Sequence, residues 1–305
     1  MKNILLIPNI KIHNANALSS PYTIGFPAMT AWLGFMHALE RKLKNTDFSE
    51  VKLTGIIVSC LDMTLHTYKG KGDYVHSIKV TRNPLIPKSK KGVDNNASPP
   101  SFIEEARCDL EVTIAIECEL GLINYEDFTD LIDSKLHTMK LASGDIISFK
   151  PSQHKQIENN KPRELTKYLM PGFCLVTRQD LTTQSMVEGK DAIDAMLEYL
   201  VTTTEVNINE EHKVKKSKPR KKEKGWIVPI AIGYQGISEI GQLKNTRDET
   251  TPHRFAESVV TLGEFKMPYH FETVEEMVWR YQEYQDNDLY LCQNNYSIKN
   301  QESKL

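Results

Sequence analysis

Three short apolar runs rich in Ile and Val, with one helical stripe after the first and another after the third, limit this chain to a small set of α+β layouts. The first run is Ile4, Leu5, Leu6 and Ile7, extended by Ile10 and Ile12. Trp32, Phe35, Met36, Leu39 and Leu43 then recur at helical spacing and share one face. VKLTGIIVSC (51–60) reads as the second strand and ARCDLEVTIAIEC (106–118) as the third, the latter with Leu110, Val112, Ile114 and Ile116 alternating. A second helix follows in YEDFTDLIDSKLHTM (125–139), through Phe128, Leu131, Ile132 and Leu136. Strand, helix, strand, interruption, strand, helix is most of a split βαβ unit, the ferredoxin-like arrangement also used by RNA recognition modules.

The interruption at about 62–100 predicts a protruding hairpin followed by a loose Lys-, Asn- and Pro-rich connection. Either LASGDIISF (141–149) or KYLMPGFCLVTR (167–178) supplies the final edge strand, and periodicity does not choose between them. Farther on, Ile193, Met196, Leu197 and Leu200 predict a helix over 190–201, GWIVPIAIGYQGI (225–237) a strand, and Val274, Met277, Val278 and Tyr281 a last helix over 274–284. The expected organisation is a ferredoxin-like core at 1–148 and a C-terminal α+β lobe at 149–305 packed on it, with a basic mobile loop at about 202–224.

Composition narrows the function classes. At 305 residues and 40% hydrophobic, the chain is long and apolar enough for a large core. Its first residues, MKNILLIPNIKI, lack the pattern of a signal peptide, and no apolar run reaches membrane-spanning length, so a cytoplasmic protein with no membrane partner is expected. Five cysteines, odd in number and without paired spacing, read as reduced core thiols. HExxH, Walker, dinucleotide-glycine and CxxC motifs are absent, and the nine histidines show no ligand spacing, so no catalytic residue, metal or cofactor is expected. A net charge of −2 does not advertise a polyanion ligand, yet KVKKSKPRKKEK (213–224) carries eight basic residues against one acid.

Several polar stretches stand out against this background. HNANALSSPYTIGFP (13–27) is a long small-residue connection shaped by Pro21, Gly25 and Pro27. TRNP (81–84) places Arg82 and Asn83 at a turn, where a forked guanidinium and an amide can meet phosphate or base edges. Arg178 flanks the MPGF turn, and NTRDETTPHRF (245–255) holds Arg247 and Arg254 beside carboxylates able to pair with them internally.

Taken in order, NANALSSPYTIGFP with FMHALERK, LTGIIVSC, TRNPL, EEARCDLEVTI, MKLASGDI, LMPGFCLVTR, GWIVPIAIGY and TRDETTPHRFAESVVTLGEF resemble the second Csy subunit of type I-F CRISPR surveillance complexes over nearly the whole chain. The resemblance implies a modified RNA recognition fold with a thumb-like hairpin and a non-catalytic role. It also implies binding of the repeat-derived 5′ handle of a CRISPR guide RNA, pairing with the large subunit, an adjacent repeated backbone subunit, and an indirect part in interference with target double-stranded DNA. It makes Asn14, Asn16, Ser19, Ser20, Arg82, Asn83, Arg107, Arg178, Arg247 and Arg254 the candidate RNA-binding group. Family members often read LAGG where this chain has Ser143 within LASG, which puts a glycine-dependent close approach there in doubt. Two alternatives remain open: an RNA-cutting enzyme using His13 or His37 near Ser19, and a mainly structural adaptor for the large subunit.

Overall fold

The computed structural model of the chain describes residues 1–79, 105–121, 123–203, 206–208, 214–216, 221–242, 244, 246, 248, 250–284 and 287–296. Strand β1 (Lys2–Asn16) is covered on both faces, Leu5 and Ile7 packing in one core cluster and Ile4 and Leu6 in another. Burial on both sides is why its sequence is a continuous apolar run. The strand extends beyond its expected end because Asn9 and Asn14 adopt left-handed backbone, φ 51° and 59°. Pairing with the third long strand slips beside each of them, between Ile7 and Ile10 and between Ile12 and Ala15. Asparagine tolerates this conformation, and such a bulge bends a strand without ending it. The expected polar connection is therefore strand as far as Asn16, and most of its remainder is a small hairpin, β2 (Leu18–Ser20) with β3 (Thr23–Ile24).

Helix α1 (Met29–Leu43) buries all five residues of the predicted stripe. Strand β4 (Lys52–Leu65) includes residues 62–65, which the sequence pattern assigned to the protruding hairpin. That hairpin begins with β5 (Thr67–Tyr68) and β6 (Ser77–Ile78). Residues 80–104, with the rest of the expected hairpin, lie outside the described residues. Strand β7 (Arg107–Glu119) sits between β4 and β1, and helix α2 (Tyr125–Leu136) starts at Asn124, whose side chain accepts from the Glu126 backbone N–H. The edge-strand question resolves toward the earlier segment: β9 (Gly144–Ser148), preceded by β8 (Lys140–Leu141), pairs with β1, as does β10 (Gln153–Ile157). The order β4-β7-β1-β9, antiparallel at each pairing, is the ferredoxin-like order in an α+β fold.

The later segment serves elsewhere. After helix α3 (Arg163–Leu169), β11 (Phe173–Thr177) pairs with β4 on the opposite side of the sheet from β9. Helices α4 (Gln179–Val187) and α5 (Ala192–Leu200) follow, then a short pair, β12 (Val206–Ile208) with β13 (Val214–Lys216), inside the segment expected to be a basic loop. Strands β14 (Trp226–Gly236), β15 (Ala256–Lys266), β16 (Trp279–Tyr284) and β17 (Leu289–Asn294) extend one sheet in the order β11-β15-β14-β17-β16-β4.

Two expectations here need correction. Residues 274–284 are not a helix but a 3₁₀ turn (Glu275–Met277) leading into β16; Val274, Met277 and Val278 are buried by the turn, which mimics helical spacing. In α5 the helix is present, but Ala195 and Tyr199 face inward, while Ile193 and Leu197 are 64% and 47% exposed. All five cysteines are free thiols, and burial pushes Cys60, Cys108, Cys118 and Cys174 up to about 12, as suits inert core sulfur.

An ion cluster joins the two ends of the chain. Lys2 lies 2.6 Å from both Glu117 and Glu275, and Arg280 pairs with the same two carboxylates. Burial works to raise each carboxyl, but hydrogen bonds and charge from Lys2 and Arg280 win and hold both below the usual carboxylate range. Native values below the unfolded value mean that this stabilisation is complete above about pH 4.5 and is lost as pH falls through the depressed native values. Glu117→Gln is accordingly expected to flatten the acid limb of stability between about pH 5 and pH 3, checked by urea midpoints across that range.

Candidate functional site

The β2–β3 hairpin, the start of α1, the β8–β9 turn and the tyrosines of β14, β16 and β17 enclose an open groove of 740 Å³. Three of the residues singled out in the sequence, Asn16, Ser19 and Ser20, line it together. Their polar atoms are organised locally. Asn16 Oδ1 accepts from the Leu18 N–H and its Nδ2 donates to the Leu18 carbonyl, both at 3.1 Å. The Ser19 and Ser20 hydroxyls share hydrogen bonds with the Thr23 hydroxyl at 2.8 and 2.7 Å. The hairpin is thus pre-shaped by its own side chains, each of whose oxygens can still accept a further hydrogen bond.

The neighbouring wall is the LASG segment. Asn16 N–H donates to the Ala142 carbonyl at 2.8 Å, and Ala142 and Ser143 both take left-handed backbone, φ 48° and 65°. The close approach to β1 falls one residue later, at Gly144, where a Cβ would lie 2.8 Å from the His13 carbonyl oxygen and 2.9 Å from Ala15 Cα. Ser143 therefore bears a conformation that glycine adopts more cheaply, while the steric need is met by Gly144. Ser143→Gly is expected to stabilise the chain by up to about 1 kcal/mol, read from the urea midpoint at constant m-value.

The far wall is aromatic. Tyr281 packs at a tilt on Tyr290, 4.6 Å between ring centroids, and at a tilt on His37 of α1 at 4.7 Å. Its hydroxyl donates to the Thr30 carbonyl at 3.2 Å. Tyr234 stands directly opposite Tyr290 in the β14–β17 ladder. Burial lowers the His37 imidazole, so the end of this stack favours the neutral ring. Of these rings the sequence singled out only His37, as a candidate for RNA cutting rather than for packing. Tyr281 was misassigned with its helix, and cross-strand partners such as Tyr234 and Tyr290 have no local spacing signal.

The expected arginines are held by carboxylates and carbonyls. Arg178 is only 8% exposed; its Nε bonds Asp180 at 3.1 Å and its Nη1 bonds Glu264 at 2.6 Å. Arg254 directs Nη1 to Asp288 at 2.6 Å and both Nε and Nη2 to the Ser238 carbonyl, fastening β14, β15 and the start of β17. Arg107 pairs with Glu105 and reaches the Asn14 carbonyl at 3.4 Å. Asn14 lies outside the groove, its backbone N–H donating to Asp109 at 2.9 Å. Arg82, Asn83 and Arg247 lie outside the described residues.

The two histidines considered for RNA cutting have separate partners. His13 Nδ1 lies 2.8 Å from Asp109, which also meets His66 Nε2 at 3.1 Å, whereas His37 is packed on Tyr281. Among the described residues no group of three or more His, Cys, Asp or Glu is arranged to hold a metal, and no helix is long and apolar enough to cross a membrane.

Comparison with known proteins adds a lineage to this geometry. The family model for CRISPR-associated protein (Cas_Csy2) matches residues 5–292, from β1 into β17. The CRISPR-associated protein Csy2 of Pseudomonas aeruginosa (strain UCBPP-PA14) is 28% identical over 316 aligned positions, covering 94% of each chain. With the match running through both the ferredoxin-like strands and the strands that extend them, the chain belongs to the Csy2 family of CRISPR-associated proteins.

Proposed function

We propose that this chain is a non-catalytic, guide-RNA-binding subunit of a type I-F CRISPR surveillance complex, holding the repeat-derived 5′ handle and pairing with the large subunit to cap the assembly. The observation that carries the reading is the groove that gathers Asn16, Ser19 and Ser20 against an aromatic wall. Single-stranded RNA is recognised with its bases splayed, stacked and hydrogen-bonded along their edges, and a groove of hydroxyls, amides and rings suits that better than it suits rigid duplex. In this reading the β5–β6 hairpin is the base of a thumb in a modified RNA recognition fold. Arg178 and Arg254 act as fasteners that position the surrounding loops, while Arg82, Asn83, Arg107 and Arg247 approach the RNA backbone with Asn14 shaping the strand beneath. An adjacent repeated backbone subunit continues along the guide, and target DNA is met indirectly through the assembly.

A second reading, a structural adaptor whose RNA contacts come largely from the large subunit, is favoured by one observation. Val187, Ile193 and Leu197 on α4 and α5 are 84%, 64% and 47% exposed, an apolar surface more suited to protein than to RNA. Titrating a labelled handle oligonucleotide with this chain, the large subunit and the pair separates the two. The RNA-binding reading expects the pair to bind at least about tenfold more tightly than the large subunit alone. Equal affinity for the pair and the large subunit alone would favour the adaptor.

A further inference from the structure

We infer that the open faces of Tyr234 and Tyr290 form a stacking platform for a nucleobase turned out of the guide strand into the groove. The inference deepens, and rests on, the handle-binding reading above. Tyr290 and Tyr234 line the groove and remain 37% and 45% exposed, although they occupy directly opposed positions in the β14–β17 ladder. Tyr290 packs on Tyr281, and Tyr281 on His37, at tilts of 31° and 35°, so the exposed ring is already held in place by ring contacts beneath it. The Tyr281 hydroxyl, tied to the Thr30 carbonyl, fixes the middle ring to α1. A base added to this stack meets a pre-organised ring and orders no further aromatic side chain.

The chemistry of the opposite wall favours a base over an aliphatic partner. Ser19, Ser20 and Ser143 line it with Asn16, while Ser258 of β15 stands directly opposite Tyr234 in the β14–β15 ladder and also lines the groove. Beyond their bonds within the hairpin, hydroxyl and amide oxygens keep acceptor capacity that a base edge can use and an aliphatic side chain cannot. The groove's 740 Å³ is within the about 300–1,000 Å³ usual for small-ligand pockets. Stacking on rings tolerates any base, so the platform selects a splayed strand, and the polar wall supplies whatever base preference exists.

The test uses the assembled complex with guides carrying 2-aminopurine singly at each handle position. At least one position is expected to be quenched in the wild-type complex and to brighten in the Tyr234→Ala/Tyr290→Ala complex, with handle affinity reduced by about tenfold or more. Tyr290→Phe keeps the quench because it keeps the ring, while Tyr290→Leu loses it and serves if the double variant does not fold. Emission unchanged by Tyr290→Leu at every position, with the 5′ segment still protected, overturns the platform and leaves the handle-binding reading standing. A crosslink joining Tyr290 to a protein subunit in place of RNA also overturns it. An unprotected 5′ segment in the wild-type complex fails the handle reading first, and the platform with it.

Discussion

Trp279→Ala is expected to destabilise the chain by about 3–5 kcal/mol, enough to consume much of the stability of an ordinary domain. Trp279 is fully buried at the place where the C-terminal strands meet the ferredoxin-like strands: it pairs with Ile56 of β4, and its indole N–H donates to the Leu175 carbonyl of β11 at 2.7 Å. Truncation removes a large apolar surface, opens a cavity between β4, β11 and α1, and orphans a buried carbonyl. Trp279→Phe retains most of the packing and loses the hydrogen bond, so it should recover more than half of the loss. Chemical denaturation of the three proteins checks the ranking. A Trp279→Ala loss under about 1 kcal/mol would mean that the joint between the two sets of strands is not packed as described.

The second large effect is Arg178→Ala, also about 3–5 kcal/mol, because it strands buried carboxylates. Glu264 is 6% exposed and its other cationic neighbour, Lys266, stands 3.8 Å away. Removing both partners should cost less than the sum of the single losses, so Arg178→Ala/Glu264→Ala is expected to be strongly non-additive. Arg254→Ala is the contrast. Its partner Asp288 is 52% exposed at the side chain, and solvent screening limits their charge pairing to about 0–1 kcal/mol. Denaturant midpoints for this set separate a buried fastener from a surface one.

Those two arginines illustrate how far the sequence could be read. Arg178 and Asp180 are two residues apart and visible as a local pair, but Glu264 is 86 positions away and enters only through the β11–β15 pairing. The ferredoxin-like half was legible because α1 and α2 each bury one face at helical spacing, while β1, β4 and β7 carry β-rich apolar runs buried on both faces. The second half of β1 was not, since Asn9 and Asn14 interrupt alternation while preserving pairing. Helix α3 has only seven residues, and α4, though as long as α5, buries only Leu181 and Ser185 and so shows no apolar stripe; β15 and β17 are recognisable mainly by their partners. The error over 274–284 has a definite physical source: a 3₁₀ turn followed by a strand buries residues at nearly the spacing of a helix face.

The candidate site divides in the same way. Its polar side was legible as an unusual run of Asn and Ser, although most of those side chains turned out to shape the hairpin first. Its aromatic side was not, because Tyr234, Tyr281 and Tyr290 come from three strands and converge only when β17 inserts between β14 and β16. Function in this reading is a property of that convergence. The strands hold the rings, the bulged β1 carries the hairpin to them, and the groove lies between.

Nuclease footprinting of the guide RNA in the assembled complex tests the central claim most directly. With this chain present, the repeat-derived 5′ segment should be protected, and omitting the chain while keeping the other subunits should expose it. Protection confined to the 3′ hairpin, or a 5′ footprint unchanged when the chain is left out, would contradict the account.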